Sequence, residues 1–277
     1  MSSGKVLVTG ANGFIAAWVV RSLLEEGFSV RGTVRSEAKC AHLRKQFASY
    51  GDRLELVIVP DIIKAGAFDE AVKGVDAIEH MASPFYLNAV EPDELIVPAI
   101  LGTVGILESA RQYGTSVKRI VVTSSCAAVL QTAPEPRTLN EDSWNEQAPK
   151  EVEQLGRGAN ATTMYRASKT LAERAAWDFV NTHKSEIGWD LVVINPPYVF
   201  GPTIHEVPTA DALGTSARQF YTMLTAPSEP AARHSGYCWA DVRDVGRAHV
   251  LALLKASAGG ERIIISNGAF VWQEWRE

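Results

Sequence analysis

Only three cysteines occur in 277 residues, Cys40, Cys126 and Cys238, and no two of them stand at a metal-binding or redox spacing. A disulfide framework is therefore excluded, no metal site is expected, and buried thiols in a reducing compartment are the natural reading. No apolar run approaches the ~20 residues that cross a bilayer. Met1–Lys5 leads directly into a strand-like run with no signal-peptide core, so a soluble cytoplasmic chain without membrane partners is expected. A basic excess is missing too. Lys plus Arg is 27 against 32 Asp plus Glu, a formal charge of −5, which argues against a nucleic-acid groove. Internal repeats and low-complexity tracts are absent. What remains is ordinary globular composition, 46% hydrophobic and 21% charged, with chain enough to bury a sizeable core.

Lys5-Val-Leu-Val-Thr9 is a nearly continuous apolar run, the signature of a strand buried on both faces of a parallel sheet. Gly10-Ala-Asn-Gly13 breaks it. From Phe14 the spacing turns helical, with Ile15, Trp18, Val19 and Leu23 on one face and Gly27 where a helix end favours a left-handed glycine. Residues 28–34, 54–59, 75–80, 118–123 and 190–194 read as further strands, and 36–48, 93–112 and 163–184 as helices. Alternating strands and helices imply right-handed βαβ units, hence an α/β, Rossmann-type doubly wound parallel sheet. The proline- and glycine-bearing stretch 131–163 reads as a long loop.

The glycine turn has the spacing G-x-x-G-x-x-A and sits between a buried strand and an amphipathic helix. Glycines there let the backbone approach a pyrophosphate, whose charge then lies on the helix N-terminus. An NAD site wants an acidic residue about 20 positions further on, to bond the ribose 2′-hydroxyl. Arg35 occupies that place, 19 residues past Ala16, with Lys39 four further on. A guanidinium grips a 2′-phosphate by two bonds, so NADP(H) is the expected cofactor, against the plainer reading of a solvated loop cation. Asp61, just past the third strand, either accepts from the adenine amino group or caps a helix.

Tyr165 and Lys169 are four apart and share a helix face. A phenol ordinarily ionises near pH 10, too high for easy proton return at neutral pH, and a neighbouring ammonium favours the phenolate. The same ammonium could hold a ribose. Ser124 and Ser125 end a strand at the carboxyl edge, where open parallel sheets bind ligands. Either hydroxyl could bond a carbonyl as charge develops on its oxygen, or serve turn chemistry alone.

Together with these, Val-Thr-Gly-Ala-Asn-Gly-Phe-Ile-Ala (8–16), Val-Arg-Ser (34–36), Val-Pro-Asp-Ile (59–62), Ala-Ser-Pro-Phe (82–85) and Val-Thr-Ser-Ser (122–125) carry a resemblance. So do Asn-Glu-Asp-Ser-Trp-Asn (140–145), Asn-Pro-Pro-Tyr-Val-Phe-Gly-Pro (195–202) and Asp-Val-Arg-Asp-Val (241–245). From Val6 to about Trp272 the chain resembles the extended short-chain dehydrogenases/reductases, in the dihydroflavonol-4-reductase-like branch that includes fungal and microbial aldehyde and ketone reductases. The resemblance implies an NADPH-dependent oxidoreductase acting on a small-molecule carbonyl through a Ser-Tyr-Lys triad. Ser125 would orient the carbonyl, Tyr165 donate the proton, and Lys169 tune Tyr165 and bind ribose. It further implies a cofactor along Gly10, Ala11, Asn12, Gly13, Phe14 and Ile15. Arg35 and Lys39 would lie at the 2′-phosphate, Asp61 and Ile62 at the adenine, and Val199 and Ser216 at the nicotinamide half and phosphates. Phe85 and Tyr198 match pocket-lining aromatics, and ordinary core residues are the other reading.

The implied organisation is a cofactor domain at 1–200, with a strand and helix returning near 237–266, and a partial substrate lobe at 201–277. Eleven residues follow Ser266, where the family usually continues for several tens, so a shortened lobe is expected, with Trp272 and Trp275 lacking obvious partners. Thr162 stands where the family more often has a hydrophobic pocket residue. Two rivals remain: a nucleotide-sugar epimerase of the same fold, and a non-catalytic NADP-binding remnant. Nothing in the sequence sets the oligomeric state or names the carbonyl.

Overall fold

The computed structural model describes residues 4–83, 89–133, 135, 137–225 and 235–276. Its strands are β1 (Lys5–Val8), β2 (Ser29–Val34), β3 (Leu54–Ile58), β4 (Ala77–His80), β5 (Arg119–Thr123), β6 (Asp190–Asn195), β7 (Tyr198–Phe200), β8 (Gly236–Asp241), β9 (Arg262–Ile264) and β10 (Gly268–Val271). Seven form one sheet in the order β3-β2-β1-β4-β5-β6-β9, and every pairing in it is parallel. This is the doubly wound sheet the alternation implied. The order reverses direction between β1 and β4, and such a switch point opens a crevice at the carboxyl ends of the strands.

Helices cover both faces. On one lie α1 (Phe14–Glu25) and, after α2 (Cys40–Gln46), the inner side of the first βαβ unit; Val19, Val20, Leu23 and Leu24 join Val6, Val8 and Val30 in one core cluster. On the other lie α3 (Asp93–Tyr113) and, after α4 (Gln147–Leu155), α5 (Ala161–Thr182); Ile106, Leu107 and Ala176 pack there on Leu7, Ile78 and Ile120. The face of α1 is rotated from the one the spacing suggests. Ala16, Ala17, Val19, Val20, Leu23 and Leu24 are buried in the sheet interface, whereas Ile15 and Trp18 turn toward Val199, Ala240 and Val242. Gly27 does stand just past the helix end, at φ +99°.

A smaller sheet, β10-β8-β7, is built from three segments distant in sequence. With α6 (Thr215–Thr225) and, after α7 (Val242–Leu254), the short α8 (Trp272–Arg276), it makes an aromatic cluster of Phe200, Phe220, Phe270, Trp272 and Trp275. Trp272 is 1% exposed, and Trp275 stacks on Phe270 at 4.1 Å. Both tryptophans therefore have partners, against expectation: Phe270 from the strand just before them, and Phe200 and Phe220 from distant sequence.

Two other expectations are corrected. The stretch 131–163 contains α4, whose Ala148 and Val152 bury against Leu95, Ile96 and Met164; two apolar residues on one face suffice once α3 and α5 lie beneath. Cys40 and Cys126 are buried, but Cys238, in the exposed first half of β8, is not. Among the described residues no helix is long and apolar enough to cross a membrane.

Candidate active site

The glycine turn is held against the sheet by its own backbone. Ala11 N–H donates to Thr33 O at 2.9 Å, Gly10 N–H to Thr33 Oγ1 at 3.2 Å, and Gly13 N–H to Gly10 O at 2.9 Å. Gly10 has φ +65°, and a Cβ there would stand 3.2 Å from the Ala82 backbone. A side chain is thus refused both by conformation and by space. Gly13 opens α1 without a side-chain cap, and no acidic residue occupies the first turn. The first N–H groups of α1 are left facing a cleft.

That cleft, about 300 Å³, is lined by Gly10, Gly13, Phe14 and Ile15 from the turn, by Ser125, Tyr165 and Lys169, and by Val199 and Ser216. The carboxyl edge of β5 brings Ser125, α5 brings Tyr165 and Lys169, and the start of α6 brings Ser216. Ser125 and Tyr165 face this one cleft, and the Ser125 hydroxyl, which donates to Pro196 O at 3.4 Å, favours the Tyr165 phenolate. Ser125 Oγ also accepts from Ala127 N at 3.1 Å, so turn chemistry and an accessible hydroxyl coexist in one residue. Burial dominates the tyrosine. It pushes the Tyr165 phenol up to about 12, with Tyr198 and Cys126 adding to the rise and the Ser125 hydroxyl opposing it. The four-residue spacing suggested that Lys169 acts on this phenol. Burial brings its ammonium down to about 8, Glu173 pulls it partly back, and its charge bears on buried His80.

Glu173 belongs to a network that the sequence reading passed over. Its carboxylate, 1% exposed, accepts from Ser124 Oγ at 2.5 Å and Asn195 Nδ2 at 2.8 Å on one oxygen, and from Arg262 Nε at 2.5 Å on the other. Asn195 Nδ2 also donates to Ser125 O, and Arg262 lies over the Trp144 ring at 3.7 Å. The signal was available: Glu173 follows Lys169 by four, continuing the face of Tyr165. Ser124 thus turns inward as support while Ser125 faces the cleft. A second buried chain runs from Glu79 through His249 Nδ1 at 2.6 Å, and from His249 Nε2 to Thr123 Oγ1 at 3.2 Å. Thr123 lines the cleft. A lone histidine in a helix gave no such hint.

The remaining candidates lie outside the cleft lining. Ala11 is fully buried beside Gly32, and Asn12 is half-buried in the turn. Arg35 is exposed past β2 and bonds no described residue, whereas Lys39 pairs with Glu206 at 3.0 Å. Asp61 is exposed and accepts from Ile63 N at 3.0 Å, an Asx-type turn rather than a helix cap. Ile62 packs against Gly102 of α3. Tyr198 sets its ring between Phe200 and Tyr237 while its hydroxyl bonds Gln219. Phe85 lies outside the described residues. The cleft also includes Pro196, from the 195–202 motif, and Met81, Thr215 and His205, whose ring rests on Phe14 at 5.4 Å; these last three carried no motif.

Similarity to known proteins follows the same outline. An uncharacterised oxidoreductase of Schizosaccharomyces pombe is 42% identical over 275 residues, spanning 98% of this chain and 80% of that protein. The ketoreductase azaE of Aspergillus niger is 38% identical over 278 residues, spanning 96% and 78%. The crystal structure of yeast methylglyoxal/isovaleraldehyde reductase Gre2 complexed with NADPH superposes with a TM-score of 0.87 at 34% identity, over 98% of this chain and 80% of that one. The profile of the NAD dependent epimerase/dehydratase family matches residues 6–266, from β1 to just past the last strand of the seven-stranded sheet. With the glycine turn, the Tyr165–Lys169 helix and the returning strand all inside that span, the chain belongs to this family, the extended short-chain dehydrogenases/reductases, in its dihydroflavonol-4-reductase-like branch.

Proposed function

We propose that the chain is an NADPH-dependent carbonyl reductase that turns aldehydes or ketones into alcohols. The observation that carries this is that Ser125, Tyr165 and Lys169 line the same cleft that the uncapped end of α1 faces. The residues fit the cofactor. Gly10 and Gly13 leave a backbone cradle that a Cβ would fill, and the first turn of α1 presents free N–H donors with no competing carboxylate. Arg35, unpaired among the described residues, and Lys39 supply charge for a 2′-phosphate, Asp61 and Ile62 border the adenine, and Val199 and Ser216 flank the nicotinamide half. In this reading residues 1–200, with the strand and helix returning near 237–266, hold the cofactor, and 201–277 supply the substrate lobe. The yeast reductase's NADPH complex and the ketoreductase activity of the Aspergillus relative support the same assignment.

Bound NADPH supplies the hydride. The chain's part is to hold the carbonyl and deliver a proton. Ser125 Oγ donates to the carbonyl oxygen, and Tyr165 Oη transfers its proton to that oxygen as charge develops there. Because burial keeps Tyr165 protonated well above neutral pH, the donor is ready without a preceding proton uptake.

Replacing Arg35 by Asp should weaken NADPH by roughly 10–100-fold and NADH little, since a charge-assisted fork becomes repulsion against phosphate. Titration of both cofactors by fluorescence decides it. Equal weakening would make Arg35 structural and remove the basis for NADP preference.

Lys169→Met separates charge from bulk. It should reduce turnover and weaken NADPH by about 1.5–3 kcal/mol, the value of a hydrogen bond to a charged group. Stability should move the other way. The folded-state pKa of Lys169, about 8, lies below its ordinary 10.5. Between these pH values the unfolded chain binds more protons, so wild-type stability rises with pH across that window, and the Met variant should lack the rise. Urea midpoints at pH 7.5 and 10.5 measure this. A parallel rise in both proteins would contradict the buried-ammonium account.

A further inference from the structure

A second cavity of about 290 Å³ is lined by Thr132, Gln147, Glu151, Thr162, Thr163 and Arg166, among others. Most of these residues carry polar side chains, unlike the core cluster beneath α5. Arg166 directly follows Tyr165, and Thr162 precedes Tyr165 by three, so the two cavities share adjoining strips of one helix. The Arg166 charge reaches as far as the Tyr198 hydroxyl, which also acts on Tyr165.

Arg166 is half-buried, and its guanidinium makes no hydrogen bond or ion pair with any described residue. Other partly buried arginines are all engaged: Arg31 and Arg111 with Glu55 and Glu108, Arg119 with Asp190, and Arg262 with Glu173. Solvent reaches this guanidinium, and with no described acceptor its fork is free to receive an anion. Glu151 shares the cavity but does not supply it. Gln147 Nε2 donates to one of its oxygens at 2.6 Å, Thr163 Oγ1 to the other at 3.4 Å, and it lies beyond ion-pair distance from Arg166. The cavity thus offers one unsatisfied planar cation next to one satisfied carboxylate. A carboxylate matches the guanidinium fork with a single charge, whereas a phosphate dianion would meet greater repulsion from Glu151.

We propose that this cavity is the distal part of the substrate site and that Arg166 receives a carboxylate there, so that favoured substrates are carbonyl compounds carrying a carboxylate remote from the reacting carbon. This rests on the reductase reading above and narrows its substrate class. The test compares 4-formylbenzoate with its neutral methyl ester and with 4-formylphenyl phosphate. Each is used with NADPH and with the wild type, Arg166→Gln and Arg166→Lys.

Wild type should favour the carboxylate over the ester in kcat/KM by roughly 10–100-fold, the span expected of a charge-assisted bond. Arg166→Gln should bring that ratio close to one, Arg166→Lys should retain part of it, and added salt should lower it in the wild type. An identical ratio in wild type and Arg166→Gln overturns the proposal, as does an equal loss on all substrates, which would place Arg166 in support of Tyr165. Preference for the phosphate overturns the carboxylate assignment. Turnover of the ester alone leaves the reductase standing without the anion site, while no NADPH oxidation with any of the three removes both.

Discussion

Tyr165→Phe should lower kcat for carbonyl reduction by roughly 10²–10⁴-fold, the usual contribution of a positioned general acid, with little change in NADPH affinity. The variant loses one oxygen and keeps the ring, so packing beneath α5 is preserved. What disappears is the proton at Oη. The split between kcat and cofactor affinity sets this variant apart from Lys169→Met, which should diminish both. Pre-steady-state mixing of NADPH-loaded variant with aldehyde reads the chemical step directly. Undiminished turnover would remove Tyr165 from the mechanism.

Glu173→Gln is expected to cost stability as well as activity. One buried carboxylate satisfies Ser124, Asn195 and Arg262 together. Removing its charge leaves Arg262, with a side chain only 10% exposed, without a counter-ion. Breaking one partner of a buried pair in this way typically costs about 3–5 kcal/mol. Urea unfolding should show the loss, and Glu173→Leu combined with Arg262→Met should recover much of it, because the orphaned charge goes as well. The functional consequence runs through Lys169, whose protonation Glu173 supports. Without that support the ammonium should titrate below about 8, so the alkaline decline in reduction should begin at lower pH. A variant with wild-type stability would contradict the buried pair, and an unmoved alkaline limb would contradict the coupling to Lys169.

The alternation of apolar strands with helical stretches exposed the seven-stranded sheet, since each strand's burial on both faces is written as a local run such as Val6–Val8. The glycine turn was legible for a similar reason: its chemistry is compressed into Gly10–Gly13 and the helix that follows. Tyr165 and Lys169 could be paired by their spacing and Ser124–Ser125 placed at a strand end, while the choice of Ser125 came from the family resemblance. Long-range features were not legible. The partners of Trp272 come from residues 198–200, 220 and 268–271, which no local window joins. Helix α4 was hidden because Pro149 and Gly156 mark a loop while Ala148 and Val152 give too short an apolar face. The rise of the Tyr165 phenol was not legible, because spacing shows that a cation is near on the helix but not how deeply the phenol is buried. Arg166 escaped notice for the opposite reason: lacking a partner is visible only when all possible partners have been placed.

The central claim is that hydride reaches a carbonyl carbon while Tyr165 supplies the proton. The most direct measurement uses NADPH carrying deuterium at both C4 positions, an aldehyde substrate, and mass and NMR analysis of the product alcohol. The account predicts one deuterium on the carbinol carbon, one equivalent of NADP⁺ per alcohol, and none of this product with Tyr165→Phe over the same interval. NADPH that binds but stays reduced, or an altered substrate without deuterium at that carbon, would contradict it.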